Sequence, residues 1–210
     1  MEAKQRSNEW HDQRLGMFTA SQAHKLMGVK GFGQTGETYI FDKVAETLTG
    51  EWPQQFENAA MKWGNELEAY AVAHYESAFG IKTKSASFIT CKDLPGCGAS
   101  PDRLMPEIST GIEIKCPYNS SNHIKYMTIK NASDLKSVAK EYYWQICQQL
   151  LITGYKAWEF VSYDPRMIND RYKMYVVPIV PLSGDIDLLK DRLSQAVEMK
   201  ESIINQIKSL

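Results

Sequence analysis

Apolar residues along this chain switch between helical and strand spacing, and that alternation restricts the fold more than any other feature. Ile40, Val44 and Leu48 recur at helical spacing from Glu37 to about Thr49, and Gly50 stops the run. Asn58 is placed to cap a longer helix carrying Trp63, Leu67, Tyr70, Ala71, His74 and Ala78, closed by Gly80. The period then shortens. Ala86–Thr90 and Cys97–Asp102 read as strands, and Pro106 with Ser109-Thr110-Gly111 marks a turn. Gly111–Pro117 alternates apolar and charged side chains, as a half-buried strand does. Ser137–Thr153 returns to helical spacing, and Ala157–Tyr163 and Tyr172–Val180 read as strands around Asp164-Pro165-Arg166. From about Asp185, Ile186, Leu189, Leu193, Ala196, Val197, Ile203, Ile204 and Ile207 share one helical face. Near the start, Thr19-Ala20-Ser21 reads as the cap of a short helix ending near Gly28, followed by a glycine-rich loop from Gly28 to Gly36. The prediction is an α/β or α+β fold, a central mixed β-sheet flanked by helices.

Composition narrows the class. With 210 residues, 43% hydrophobic and 11% aromatic, the chain can build a sizeable core. No internal repeat or clear linker divides it, so a single domain over residues 1–210 is expected, with its C-terminal helix from about 185. Lys plus Arg is 24 and Asp plus Glu is 25, a net charge of -1. That excludes a histone-like chain binding through bulk charge, but not a local basic pocket. No run nears the roughly 18 apolar residues of a membrane helix. Met1-Glu2-Ala3-Lys4-Gln5-Arg6 leads into polar sequence without a signal-like apolar stretch, so a soluble, cytoplasmic protein is expected. Cys91, Cys97, Cys116 and Cys147 form no C-x-x-C pair and stand at no zinc-finger spacing from the four histidines. They read as reduced thiols partly in the core.

The segment that carries chemistry is Pro101-Asp102 followed by Glu113-Ile114-Lys115. Asp102 lies where a strand arrives at a turn, and a short hairpin can return Glu113 to the same edge. Glu113 and Lys115 leave one face of their strand, while Ile114 points to the other and can anchor it in the core. Two carboxylates facing one point make a hard oxygen site suited to magnesium, to which the Ile114 carbonyl could add an oxygen. Lys115 supplies a positive charge able to orient a water or help deprotonate it. Such a site fits metal-assisted hydrolysis of a phosphodiester. Taken alone, an Asp and an E-x-K pair also describe a solvated strand face. Glu68, on a predicted helix after Gly64, is a third carboxylate that could face the pair, and in isolation it reads as a surface glutamate.

An ordered set of motifs surrounds these residues. It comprises Trp10-His11, Arg14-Leu15-Gly16, Thr19-Ala20-Ser21, Trp63-Gly64 with Glu68, Ser100-Pro101-Asp102, Glu113–Pro117, Gln145, and Tyr163-Asp164-Pro165-Arg166. From about residue 7 to residue 180, the set resembles the viral alkaline exonucleases of the YqaJ type, the lambda exonuclease family, within the PD-(D/E)xK nuclease superfamily. The resemblance implies a restriction-endonuclease-like core. It implies that Asp102, Glu113 and the Ile114 carbonyl bind magnesium, that Glu68 supports a second ion, and that manganese can substitute. Lys115 would position the attacking water. Arg14, Ser21, Ser100 and Gln145 would form the pocket for a 5'-terminal phosphate, a role suited to an arginine fork with hydroxyl and amide donors. Outside this pattern Arg14 reads as a surface salt bridge and Gln145 as an exposed helix position.

The activity so implied is 5'-to-3' degradation of one strand of linear double-stranded DNA to mononucleotides, leaving 3' tails for recombination with a single-strand annealing protein. The family is associated with a homotrimeric ring, which could confine DNA with modest charge and so fits a near-neutral chain. The implied setting is a phage or prophage gene in a bacterial host. Two rivals stand beside it: an endonuclease on the same core, and a non-catalytic DNA-binding subunit with a decayed nuclease fold. Two further readings stay open. Of Tyr142, Tyr143 and Trp144 at least one packs in the core, with base stacking as the other use. Met61 reads as core filler or as a wedge at the duplex end.

Overall fold

The computed structural model describes residues 7–52 and 57–210, so the first six residues, read from the sequence as polar and without a signal-like stretch, lie outside it. Helices α1 (Asn8–Arg14), α2 (Gly33–Thr49) and α3 (Ala59–Phe79) alternate with strands β1 (Phe18–Thr19), β2 (Ile89–Thr90), β3 (Cys97–Ala99), β4 (Arg103–Met105) and β5 (Thr110–Lys115). Helices α4 (Ser120–Tyr126), α5 (Ala132–Val138) and α6 (Lys140–Thr153) follow, then β6 (Ala157–Tyr163), β7 (Met174–Ile179) and α7 (Asp185–Lys208). Helices flank two sheets, one four-stranded in the order β4-β5-β6-β7 and one three-stranded in the order β1-β3-β2. The larger sheet is mixed: β5 runs antiparallel to β4 and parallel to β6, and β7 returns antiparallel to β6. A parallel step needs a crossover, and α4 to α6 supply it.

The crossover places α6 over one face of β5 and β6, while α3 covers the other. The larger core gathers Phe18, Leu26, Ile40, Tyr143, Trp158 and Phe160. A smaller one joins Ala71 and Tyr75 of α3 to Ile112, Ile114 and Val161 of the sheet. Covering both faces corrects one expectation: β5 is not half-buried, for every residue from Thr110 to Ile114 is buried. The alternation of Glu113 and Ile114 therefore separates two interiors rather than core from solvent.

Other differences have local causes. α2 begins at Gly33, inside the expected loop, because Gly36 is a packing position: a Cβ there would stand 2.7 Å from Phe32 Cβ. The short helix at Ala20–Leu26 is 3-10, and Thr19 makes no side-chain cap bond to it. The segment expected as one helix over 137–153 breaks at Ala139, where φ is -147°, into α5 and α6. Gly50 and Gly80 end α2 and α3 in the left-handed conformation, and Asn58 Oδ1 accepts from the Met61 N–H over 2.9 Å. All four cysteines are free thiols, three of them buried. Among the described residues, no helix is long and apolar enough to cross a membrane.

Candidate active site

The C-terminal end of β5 opens onto a cavity of about 430 Å³ bordered by Glu68, Asp102, Ile114, Lys115 and Tyr142. Four different stretches of chain supply these groups. Glu68 comes from α3, Asp102 from the residues just before β4, Ile114 and Lys115 from the end of β5, and Tyr142 from α6. Asp102 is locked to the strand, since its Oδ2 accepts the Ile114 N–H over 2.7 Å. The Ile114 side chain packs into the smaller core, as its place opposite Glu113 and Lys115 predicts.

Glu113 is fully buried behind the cavity. Its Oε1 accepts from Gln145 Nε2 over 2.6 Å, its Oε2 accepts from Gln149 Nε2 over 2.7 Å, and the Lys115 ammonium pairs with Oε1. A carboxylate offers about four lone-pair directions. The three donors fix the Glu113 carboxylate and leave acceptor capacity for one further partner. Gln149 is absent from the sequence-based expectations, yet it stands four residues after Gln145, on the same helix face. Gln145, grouped from the sequence with Arg14 and Ser21, is placed here on Glu113.

The electrostatics are those of crowded anions around one cation. Burial holds the Asp102 carboxyl well above the ordinary carboxylate range, and the charges of Glu113 and Glu68 add to the effect. Burial works against the Lys115 ammonium, but Glu113 and Asp102 overcome it and hold its pKa above the usual lysine value. Lys115 thus stays charged and acts as a fixed cation, with Nζ 4.7 Å from the centre of the Tyr142 ring. Burial pushes the Cys116 thiol up to about 12, so the sulfur at the cavity edge is neutral. Among the described residues, no three His, Cys, Asp or Glu side chains close into a ready-made metal cage. The donor set nevertheless fits a hard divalent cation. It offers oxygen ligands only, an excess of carboxylates over ammonium groups, and a carboxyl whose ionised form is disfavoured until positive charge arrives.

A second cavity, of about 290 Å³, is bordered by Trp10, His11, Arg14, Ser21, Lys43 and Trp52, among others. Arg14 donates from Nη1 to Ser100 Oγ over 3.2 Å, and Trp10 Nε1 donates to the same oxygen over 2.9 Å. Its guanidinium lies 3.9 Å from the Trp10 ring centre. Burial lowers its pKa to about 10, which leaves it charged at neutral pH. Arg14 Nε and His11 Nδ1 are buried without hydrogen-bond partners among the described residues. The free Arg14 Nε–H suits an anion. Lys43 pairs with Glu46 through both carboxylate oxygens, at 2.6 and 2.8 Å, a buried ion pair that sequence reasoning missed. Ser100 immediately precedes Pro101-Asp102, so the Arg14–Ser100 bond ties the lining of the second cavity to the stretch of chain that carries Asp102 of the first.

The Tyr163-Asp164-Pro165-Arg166 motif secures the chain that leaves β5. Arg166 Nε donates to Asp164 Oδ1 over 2.8 Å, and Nη2 and Nη1 donate to the carbonyls of Pro117 and Tyr118 over 3.0 Å each. The same guanidinium lies 4.4 Å over Trp63, one turn and a half before Glu68 on α3. Met61 is exposed at the rim of the first cavity rather than packed in a core. Tyr143 and Trp144 are buried, and Tyr142 alone of the aromatic run faces the cavity.

A family model described as the YqaJ-like viral recombinase domain matches residues 9–156. An alkaline exonuclease from Laribacter hongkongensis, LHK-Exo, has a crystal structure similar to this one, with 30% sequence identity, a TM-score of 0.83 and 97% of each chain covered. LHK-Exo in complex with dAMP gives 31% identity, a TM-score of 0.82 and the same coverage. A phage-related exonuclease from Haemophilus somnus 129PT shares the fold, with a TM-score of 0.75, 16% identity, and coverage of 91% of this chain and 96% of that one. No curated protein matches by sequence.

Proposed function

Since the chain belongs to the YqaJ-like viral recombinase family, we propose that it is a magnesium-dependent 5'-to-3' exonuclease acting on linear double-stranded DNA. Its products are mononucleotides and a 3' single-stranded tail. The observation that carries this reading is the contact between Arg14 and Ser100, two residues before Asp102. It couples a pocket of anion donors to a carboxylate site along one short stretch of chain. A terminal phosphate held by Arg14, Ser21 and Ser100 would bring the first phosphodiester toward Asp102, so that recognition of the end sets the position of the cut.

Asp102 and Glu113, with the Ile114 carbonyl and Glu68, are the residues that would hold magnesium, or manganese in its place. A divalent cation bound there supplies Lewis-acid chemistry for phosphodiester hydrolysis. Gln145 and Gln149 keep Glu113 oriented. Lys115, charged throughout, orients the attacking water and offsets negative charge that develops on the phosphate. LHK-Exo is found in complex with dAMP, a mononucleotide, which supports a mononucleotide product for this chain. On the same reading the enzyme works as a homotrimeric ring and passes its tail to a single-strand annealing protein. Such a ring would confine DNA without strong positive charge, in keeping with a chain whose net charge is -1.

The experiment is digestion of linear and circular duplexes of one sequence in magnesium, with and without a 5'-phosphate on the linear form. Loss of linear DNA from 5' ends, faster when phosphorylated, is expected. Cutting of the circle would favour an endonuclease, and digestion from 3' ends would overturn the polarity.

A further inference from the structure

Helix α7 lies beyond the residues matched by the family model, yet it reaches both chain segments that meet at the Arg14–Ser100 contact. Lys200, itself buried, donates from Nζ to the Gly16 carbonyl over 3.1 Å. On the other side of the same residue, the Gly16 N–H donates to Glu46 Oε2 over 2.9 Å. Both peptide groups of a turn two residues after Arg14 are thereby held. The turn admits only glycine, since φ is +68° and a Cβ would stand 2.4 Å from Thr47 Oγ1. The Met17 N–H donates to the Arg14 carbonyl over 3.0 Å, which carries the constraint back to Arg14.

Val197, one helical turn before Lys200, covers the second segment. A Cβ on Gly96 would meet Val197 Cγ2 at 3.3 Å, and the Gly96 carbonyl accepts the Phe18 N–H over 2.8 Å. From Gly96 the chain continues through β3 to Ser100. One face of α7 thus braces the Arg14 segment and the Ser100 segment at once. Packing alone does not account for Lys200. A methionine would fill the same space without burying an ammonium, whose desolvation is costly unless it is paired. Its other partner, Glu201 at 3.3 Å, is more than half exposed.

We infer that Lys200 is a positioning residue for the end-binding pocket, holding through Gly16 the separation of Arg14 and Ser100 that a terminal phosphate requires. The inference rests on the pocket reading proposed above. Lys200 acts at a distance and does not border the cavity.

The test measures kcat and KM in magnesium on linear duplexes ending in 5'-phosphate or 5'-hydroxyl, together with Tm, for wild type, Lys200→Met, Lys200→Arg and Ile204→Ala. Ile204, buried further along α7, serves as a control for loss of stability. Lys200→Met is expected to lower the preference for phosphorylated ends about tenfold, chiefly through KM, the scale on which misplacement of a binding group acts. Lys200→Arg, which keeps a donor, should restore most of that preference, and Ile204→Ala should lower Tm and leave it unchanged. If Lys200→Met does not fold, Lys200→Gln, too short to reach Gly16, replaces it in the comparison. Full preference in the Lys200 variant, or an equal loss in Ile204→Ala, would overturn the inference and leave the pocket standing. A wild type indifferent to the 5'-phosphate would overturn the pocket reading, and the inference with it.

Discussion

Gln149 Nε2 donates to Glu113 Oε2 over 2.7 Å, one helical turn beyond the Gln145 amide that holds the other oxygen of the same buried carboxylate. The pair of amides explains how a glutamate can lie fully buried on an interior strand. Gln149→Leu removes one donor and leaves a carboxylate oxygen unpaired, which costs about 1–3 kcal/mol. Urea unfolding should show that loss with an unchanged m-value. The rate in magnesium should fall about tenfold or more, the usual effect of releasing a ligand from its supporting hydrogen bond. A variant with wild-type stability and rate would mean that Gln149 does not orient Glu113.

Asp102 gives a prediction with a definite sign. Its carboxyl is held well above the ordinary range by burial, with Glu113 and Glu68 contributing, so the folded metal-free protein keeps a proton that the unfolded chain releases near pH 4. The stability linked to that proton is fully present below about pH 4 and is lost as pH rises through the raised folded value. Asp102→Asn should flatten this part of the stability profile and raise Tm of the metal-free protein at alkaline pH, while abolishing cleavage. Calorimetry across pH in a chelator, beside a nuclease assay in magnesium, decides it. A lower Tm at alkaline pH would show that the charged carboxylate is instead well paired.

Calcium separates occupancy from turnover. Both calcium and magnesium take oxygen ligands, but calcium is larger and accepts looser geometry. Calcium should raise Tm of the wild type, because a ligand that binds only the folded state stabilises it, and should raise that of Asp102→Asn much less. Cleavage in calcium should be negligible. Equal rates in the two ions would count against a closely arranged carboxylate site.

The architecture was legible where one physical signal dominates. The helix over 37–49, whose first turn from Gly33 was read as loop, and the helix at 59–79 follow from apolar spacing and from glycines able to adopt the left-handed conformation at their ends. Glu113 and Lys115 share a strand face because the period of a strand is two. What the period does not show is how many faces are covered, and β5 was read as half-buried for that reason. β4, three residues long, and the short helices α4 and α5 carry too few apolar positions to display a period. At the site, the resemblance pointed to Arg14 and Ser100, which do meet. Lys43 with Glu46, and Lys200 with Gly16, depend on how helices pack, and a buried ion pair three residues apart looks like a solvated helix face in sequence. Gln149 was within reach, four residues from Gln145 on the same face.

Arg14 offers the sharpest test of end recognition. Arg14 is half-buried, remains charged although burial lowers its pKa to about 10, and has one N–H bonded to Ser100 and another, at the buried Nε, without a partner among the described residues. A phosphate dianion at the chain end would satisfy that donor, and an end bearing a hydroxyl would not. Arg14→Ala should therefore weaken capture of phosphorylated ends by about 1.5–3 kcal/mol, the scale of hydrogen bonds to charged groups, and affect hydroxyl ends much less. Arg14→Lys keeps the charge but not the planar fork, so it should recover only part of the difference. The measurement is kcat/KM on two duplexes that differ only in 5'-phosphorylation. Equal losses on both would make Arg14 a contact for an internal phosphate or a packing residue of the Trp10 face, and would separate the second cavity from the chemistry at Asp102.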